Sequence, residues 1–151
     1  MGYFMRYISN ESANIDFGVL NEALQSIDLS YEIRMNSFGD LGELYFSGRL
    51  YANIEIDAPD DEIFDDDILS FIEMVGAPST SQEQSVVEIL KSAQLMVTLE
   101  SFWEGNDPEP TLEKIDPLWD WLFTRLQGVL QVDNEGFYGA DGLLVERKFM
   151  I

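Results

Sequence analysis

Apolar residues recur along this chain in two rhythms, and the rhythms alternate. Tyr3–Ile8, "YFMRYI", is short, aromatic and β-branched, and it predicts a strand. Phe17, Leu20, Ala23, Leu24 and Ile27 then form one apolar stripe at helical spacing, with Asp16 as the N-cap, so a helix is expected over Phe17–Ile27. In Leu29–Asn36, "LSYEIRMN", the period drops to two. Tyr31, Ile33 and Met35 share one face while Glu32, Arg34 and Asn36 take the other. "SFGDLG" reads as a turn. Glu43–Ser47 and Arg49–Asp57 read as a hairpin about Ser47-Gly48, with Leu50, Ala52, Ile54 and Ile56 on one face of its second arm.

The middle of the chain is helical in pattern. Ile63, Phe64, Ile68, Phe71, Ile72 and Val75 fall at helical spacing behind Pro59, which suits a first helical turn, and Gly76 and Pro78 stop the run. Thr80 and Glu83 have capping-box spacing and open a second helix through Ser92. The first pattern then returns. A strand is predicted over Gln94–Phe102, and a loop over "WEGNDPEP". A helix follows from Asp116-Pro117 through Leu126, with Leu118, Trp119, Leu122, Phe123 and Leu126 as its stripe. Val129–Val132 and Leu143–Phe149 read as strands, with turn signals on either side of Phe137-Tyr138.

The order strand, helix, strand and turn-rich meander thus occurs twice, in 1–57 and in 93–151, with an acidic helical linker, 59–92, between the halves. One α+β domain over 1–151 is expected, its antiparallel sheet built from two strand–helix–strand–strand halves. Leu29–Asn36, Arg49–Asp57 and Gln94–Phe102 should lie in one sheet, and the helices Phe17–Ile27 and Pro117–Leu126 should cover the same face. Ferredoxin-like folds, and small-ligand-binding domains similar to gyrase-inhibitor proteins, use related pseudo-two-fold arrangements. That likeness is one of architecture and carries no function.

Composition narrows the chemistry. The chain has no cysteine and no histidine, so disulfides, Cys–His and Ser–His–Asp catalysis and a histidine pH switch are excluded. Zinc, haem and iron–sulfur sites lose their usual ligands, and no cofactor is expected. With 46% hydrophobic residues, including 10 Phe, 6 Tyr and 3 Trp, a packed core is expected. No membrane span, signal peptide or myristoylation motif is read, which makes a cytoplasmic protein the expectation.

Charge changes the picture most. There are 29 acids against 8 bases, a formal net of −21. Residues 51–120 hold 18 of the acids and 2 of the bases, net −16. Nucleic-acid binding is not expected, because phosphate contacts need clustered Lys and Arg. The run "DDEIFDDD", Asp60–Asp67, puts six carboxylates in eight residues. Asp60, Asp61 and Glu62 are expected in a first helical turn, which favours acids. Asp65, Asp66 and Asp67 are consecutive and fan over about 200° of a helix, so they do not converge on one ion. Calcium-loop spacing is absent and no metal site is expected.

Three functional readings follow. In the first, the chain is a non-enzymatic, inhibitor- or immunity-like protein whose carboxylates recognise a basic protein through Asp61, Asp65 and Asp66. Asp67 is set aside because it falls between Phe64 and Phe71 beside the buried stripe. The same charges also serve simply as a solvated surface. In the second, the chain binds a small molecule in an aromatic, carboxylate-lined pocket between the halves, formed by Trp103, Glu104, Trp121, Phe137 and Tyr138. Trp119 and Trp121, two apart on a helix, should diverge, one inward and one toward the surface. The third reading is carboxylate catalysis, for which Glu100, Glu104, Asp133 and Glu135 lie near strand ends. Nothing singles out a pair, so no catalytic residue is assigned. Oligomeric state is not legible in the sequence.

Overall fold

The structure, a computed structural model, describes residues 2–102 and 108–148. Its strands are β1 (Gly2–Ser9), β2 (Tyr31–Met35), β3 (Gly42–Phe46), β4 (Arg49–Asp57), β5 (Leu95–Phe102), β6 (Gly128–Val132), β7 (Gly136–Gly139) and β8 (Gly142–Glu146). They form one eight-stranded sheet in the order β2-β3-β4-β5-β1-β6-β7-β8, antiparallel at every described pairing. The helices are α1 (Phe17–Ile27), α2 (Glu62–Val75), α3 (Ser81–Lys91) and α4 (Glu109–Arg125). The fold is α+β, as the alternating rhythms predict. Each half is a strand, a helix and three further strands, one strand more than the strand–helix–strand–strand unit expected, and the two halves dock differently. The last strand of the first meander, β4, abuts the central pair, whereas in the second half the first strand after the helix, β6, does so.

Both faces of the sheet carry helices. Leu20 and Leu24 of α1 and Ile115, Leu118, Trp119 and Leu122 of α4 pack on one face, against Met5, Tyr7, Leu44, Ile54, Val97, Leu99, Leu130 and Val132. This is the shared face expected for the two amphipathic helices. The opposite face receives Phe64, Ile68 and Phe71 of α2 and Val86, Ile89 and Leu90 of α3, against Ile8, Met96, Val129, Phe137 and Val145. The second layer stops short. Along β5, Leu95, Val97, Leu99 and Ser101 are all buried on the first face, while on the second only Met96 is, and Thr98 and Glu100 reach solvent. The second face over β2, β3, β4 and part of β5 is therefore bare, and Glu32, Arg34, Glu43, Tyr45, Asn53 and Glu55 occupy it.

Local chemistry explains most element ends. Asp16 caps α1 by accepting from the Val19 amide at 2.8 Å. Ser47 and Gly48 have φ of 50° and 81°, the left-handed pair that a tight hairpin requires. Thr80 and Glu83 form the expected capping box at α3. Arg147 closes the other side of that junction, donating to Glu83 Oε2 at 2.6 Å and to the Met74 and Val75 carbonyls at the end of α2. Backbone donation from Ser79, then Arg147, holds the Glu83 carboxyl down at about 2.

Two expected boundaries are corrected. Pro59 and Asp60 lie outside α2. Asp60 takes a left-handed φ of 78°, and Asp61 is the N-cap, accepting from the Ile63 and Phe64 amides at 2.9 and 3.3 Å. Only Glu62 and Asp65 supply first-turn acids. α4 begins at Glu109 rather than at Pro117, which sits inside it. Pro110 occupies the early position, and Leu112 and Ile115 extend the apolar stripe one turn further back. Pro117 has no N–H for the Glu113 carbonyl. One residue along, the Tyr31 hydroxyl donates to the Lys114 carbonyl at 2.7 Å and ties this turn to the sheet. Met35 keeps its expected strand phase but ends 59% exposed, at the last residue of the edge strand β2, whereas Tyr31 at the other end of the strand is buried.

Candidate functional site

The N-terminal part of α2 brings Asp61 and Asp67 close to Asp57 at the end of β4, whereas Asp65 lies on the α3 side with Lys91 and Gln94. Asp61, Asp65 and Asp66 are exposed, and among the described residues none has a basic partner. Asp67 turns inward, as its place beside the apolar stripe predicts, to within 3.9 Å of Arg6. Arg6 projects from the middle of β1 between Phe4 and Phe71, at 5.2 and 5.3 Å from their ring centres. It donates to Gln131 at 2.8 Å and to Asp133 at 3.0 Å. Burial nonetheless raises the Asp67 carboxyl, with Arg6 pulling the other way.

At the end of β4 the crowding is greater. The Asp57 carboxyl is pushed up to about 6, first by burial and then by Glu55, Asp61 and Asp67. Its Oδ2 is buried with no hydrogen-bond partner among the described residues. The ledge runs on to the bare sheet, where Phe4, Leu41, Asn53, Glu55, Thr98 and Glu100 line a shallow depression of about 240 Å³. Glu55 and Asp57 are site residues that sequence reasoning missed, and Glu100 was considered there only for catalysis. The available signal was strand phase, which places all three on the face opposite Ala52, Ile54 and Leu99. What could not be read was that this face lies open.

A groove lies on the other side of the sheet, where α4 passes over β1, β6 and β7. Met5, Leu112, Trp119, Phe123, Leu130 and Val132 form its apolar wall, and its volume is about 350 Å³. Asp116, Asp120 and Glu135 line it as well, and no Lys or Arg does among the described residues. Glu135 accepts hydrogen bonds from the hydroxyls of Tyr3 and Tyr138, the latter at 2.5 Å. The Tyr138 hydroxyl is pushed up to about 12, first by that bond and then by burial, and Tyr3 is also raised, first by burial. Asp116 is raised by burial and by repulsion from Asp120 and Glu113.

The aromatic pocket expected from the sequence is therefore only partly assembled. Tyr138 lines the groove. Phe137, its neighbour in β7, faces the opposite side, fully buried against Phe71 at 6.2 Å between ring centres. Trp119 is buried and Trp121 is half-exposed with the Arg125 guanidinium 5.3 Å from its ring, the divergence that their spacing predicts. Trp121 does not line the groove. Trp103 and Glu104 lie outside the described residues. Of the acids considered for catalysis, Asp133 pairs with Arg6 on one side of the sheet while Glu135 sits between tyrosines on the other, and Glu100 lies on the bare face. Among the described residues, no group of three or more carboxylates is placed to hold a metal ion, and no helix is long and apolar enough to cross a membrane. The chain matches no protein-family model, no curated protein and no solved structure.

Proposed function

We propose that the chain is a non-enzymatic cytoplasmic binding protein, inhibitor- or immunity-like, whose acidic ledge recognises a basic protein partner. The observation that carries this reading is the adjoining of the N-terminal part of α2 and the end of β4. Asp61, Asp65 and Asp66 stand exposed without a basic partner among the described residues, and Asp61, with Glu55 and Asp67, adds to the burial that pushes the Asp57 carboxyl up to about 6. Such a surface attracts cations over several ångströms and speeds encounter. A partner's Lys or Arg would relieve repulsion that the free protein bears. The filled cores on both faces of the sheet support a surface role over an internal cavity. The ferredoxin-like relation of the halves enters this proposal only as shared element order, and no part of the binding reading depends on it.

The test is affinity capture from native extract at low salt with the wild-type chain and with the triple variant Asp61→Asn, Asp65→Asn, Asp66→Asn. Asn is itself a good N-cap, so the change at Asp61 leaves α2 capped. A basic protein retained by the wild type and depleted with the variant supports the reading. Recovery of the same proteins with equal affinity reduces the ledge to a solvated surface.

A further inference from the structure

We infer that the groove beneath α4 is a site for a small organic cation, an ammonium carried on an apolar or aromatic body. The walls and the rim point the same way. Trp119, Phe123, Tyr3 and Tyr138 line one cavity, and aromatic faces attract cations through their quadrupoles. Three carboxylates, Asp116, Asp120 and Glu135, line it with no compensating Lys or Arg among the described residues. Asp120 lies four residues from Asp116 on the same helix and, after burial, helps to raise it, so the groove rim holds like charges in mutual repulsion. Glu135 is fixed by two phenolic donors, which orients its charge before any ligand arrives.

Trp119 is 3% exposed, so what it offers the groove is ring surface. A bare metal ion does not suit a cavity whose walls are chiefly carbon. An anion would meet the three carboxylates. An apolar ammonium satisfies both wall and rim.

The site is independent of the protein-partner reading, and its test is built to keep them apart. The probes are 2-phenylethylammonium and its neutral counterpart 2-phenylethanol, titrated calorimetrically at physiological salt with tryptophan fluorescence as a second readout. Saturable one-to-one binding of the ammonium is expected, with the alcohol at least about tenfold weaker, the scale of a charge-assisted contact together with a cation–aromatic one. Asp116→Asn with Asp120→Asn should weaken the ammonium by about tenfold, whereas Asp61→Asn, Asp65→Asn, Asp66→Asn, which removes more charge on the far face, should leave it unchanged. The inference is overturned if binding does not saturate, if the alcohol binds as well as the ammonium, or if the far-face variant weakens binding as much as the groove variant. A melting curve of each variant confirms that it is folded.

Discussion

Replacing Asp57 by Asn should stabilise the protein, and the gain should depend on pH in a defined way. The carboxyl ends β4 with Oδ2 buried and unpartnered, faces Glu55, Asp61 and Asp67, and titrates near 6 rather than at its ordinary 3.8. A folded-state value raised for an acid means that the folded chain holds this proton more tightly than the unfolded one. The group therefore costs nothing below its ordinary value, costs progressively more as pH rises from about 4 to about 6, and costs its full amount above that. Fully buried, the difference would be about 3 kcal/mol; since solvent reaches much of this carboxyl, about 1 kcal/mol is expected. In a chain of this size that corresponds to a rise in Tm of about 2–4 °C. Urea unfolding followed by tryptophan fluorescence should show D57N more stable by that amount near pH 7.5, and by about half as much near pH 5. An increment that is absent near pH 7.5, or the same at both pH values, would refute the account of Asp57 as a crowded, partly desolvated anion.

Other perturbations follow from the same geometry. Arg6→Met should destabilise by about 3 kcal/mol at neutral pH, because it leaves Asp67 and Asp133 half-buried beside each other without their cation, and the loss should shrink in acid as the raised Asp67 carboxyl protonates; chemical denaturation at two pH values reads it. Gly136→Ala should cost about 3 kcal/mol or more, since φ is 131° and a Cβ there would lie 2.0 Å from the Val145 carbonyl oxygen; a melting curve, with the exchange rates of the β7 and β8 amides, checks it. Thr80→Ala should cost about 1 kcal/mol by removing the hydroxyl that accepts from the Glu83 amide at 3.0 Å, measured by equilibrium unfolding.

What could be read from sequence was what depends on neighbours in the chain. α1 spans Phe17–Ile27 and β4 spans Arg49–Asp57, both as expected, because a cap, a stripe and a glycine turn are local signals. The start of α4 was hidden by Pro117, which usually opens a helix but here sits within one, while the stripe through Leu112 and Ile115 was the better guide. The two candidate surfaces depend on docking, which no short-range pattern encodes. Alternation shows that Glu55 and Glu100 oppose Ile54 and Leu99, but only the place where α2 and α3 stop decides that their face is open. Phe137 and Tyr138 lie between turn signals in the sequence but form the strand β7, which sends adjacent side chains to opposite faces and so divides the expected pocket. Asp67 was separable from Asp65 and Asp66 by helical phase alone, and Arg6 is what it meets.

The central claim is that the acidic ledge recognises a basic protein by charge, and the association rate of that partner against ionic strength tests it most directly. Stopped-flow mixing with the basic protein recovered by capture should give a rate constant that falls steeply with salt for the wild type. For Asp61→Asn, Asp65→Asn, Asp66→Asn the rate should be lower at low salt and the slope flatter, with dissociation little changed. Equal rates and equal slopes for the two proteins would contradict the claim.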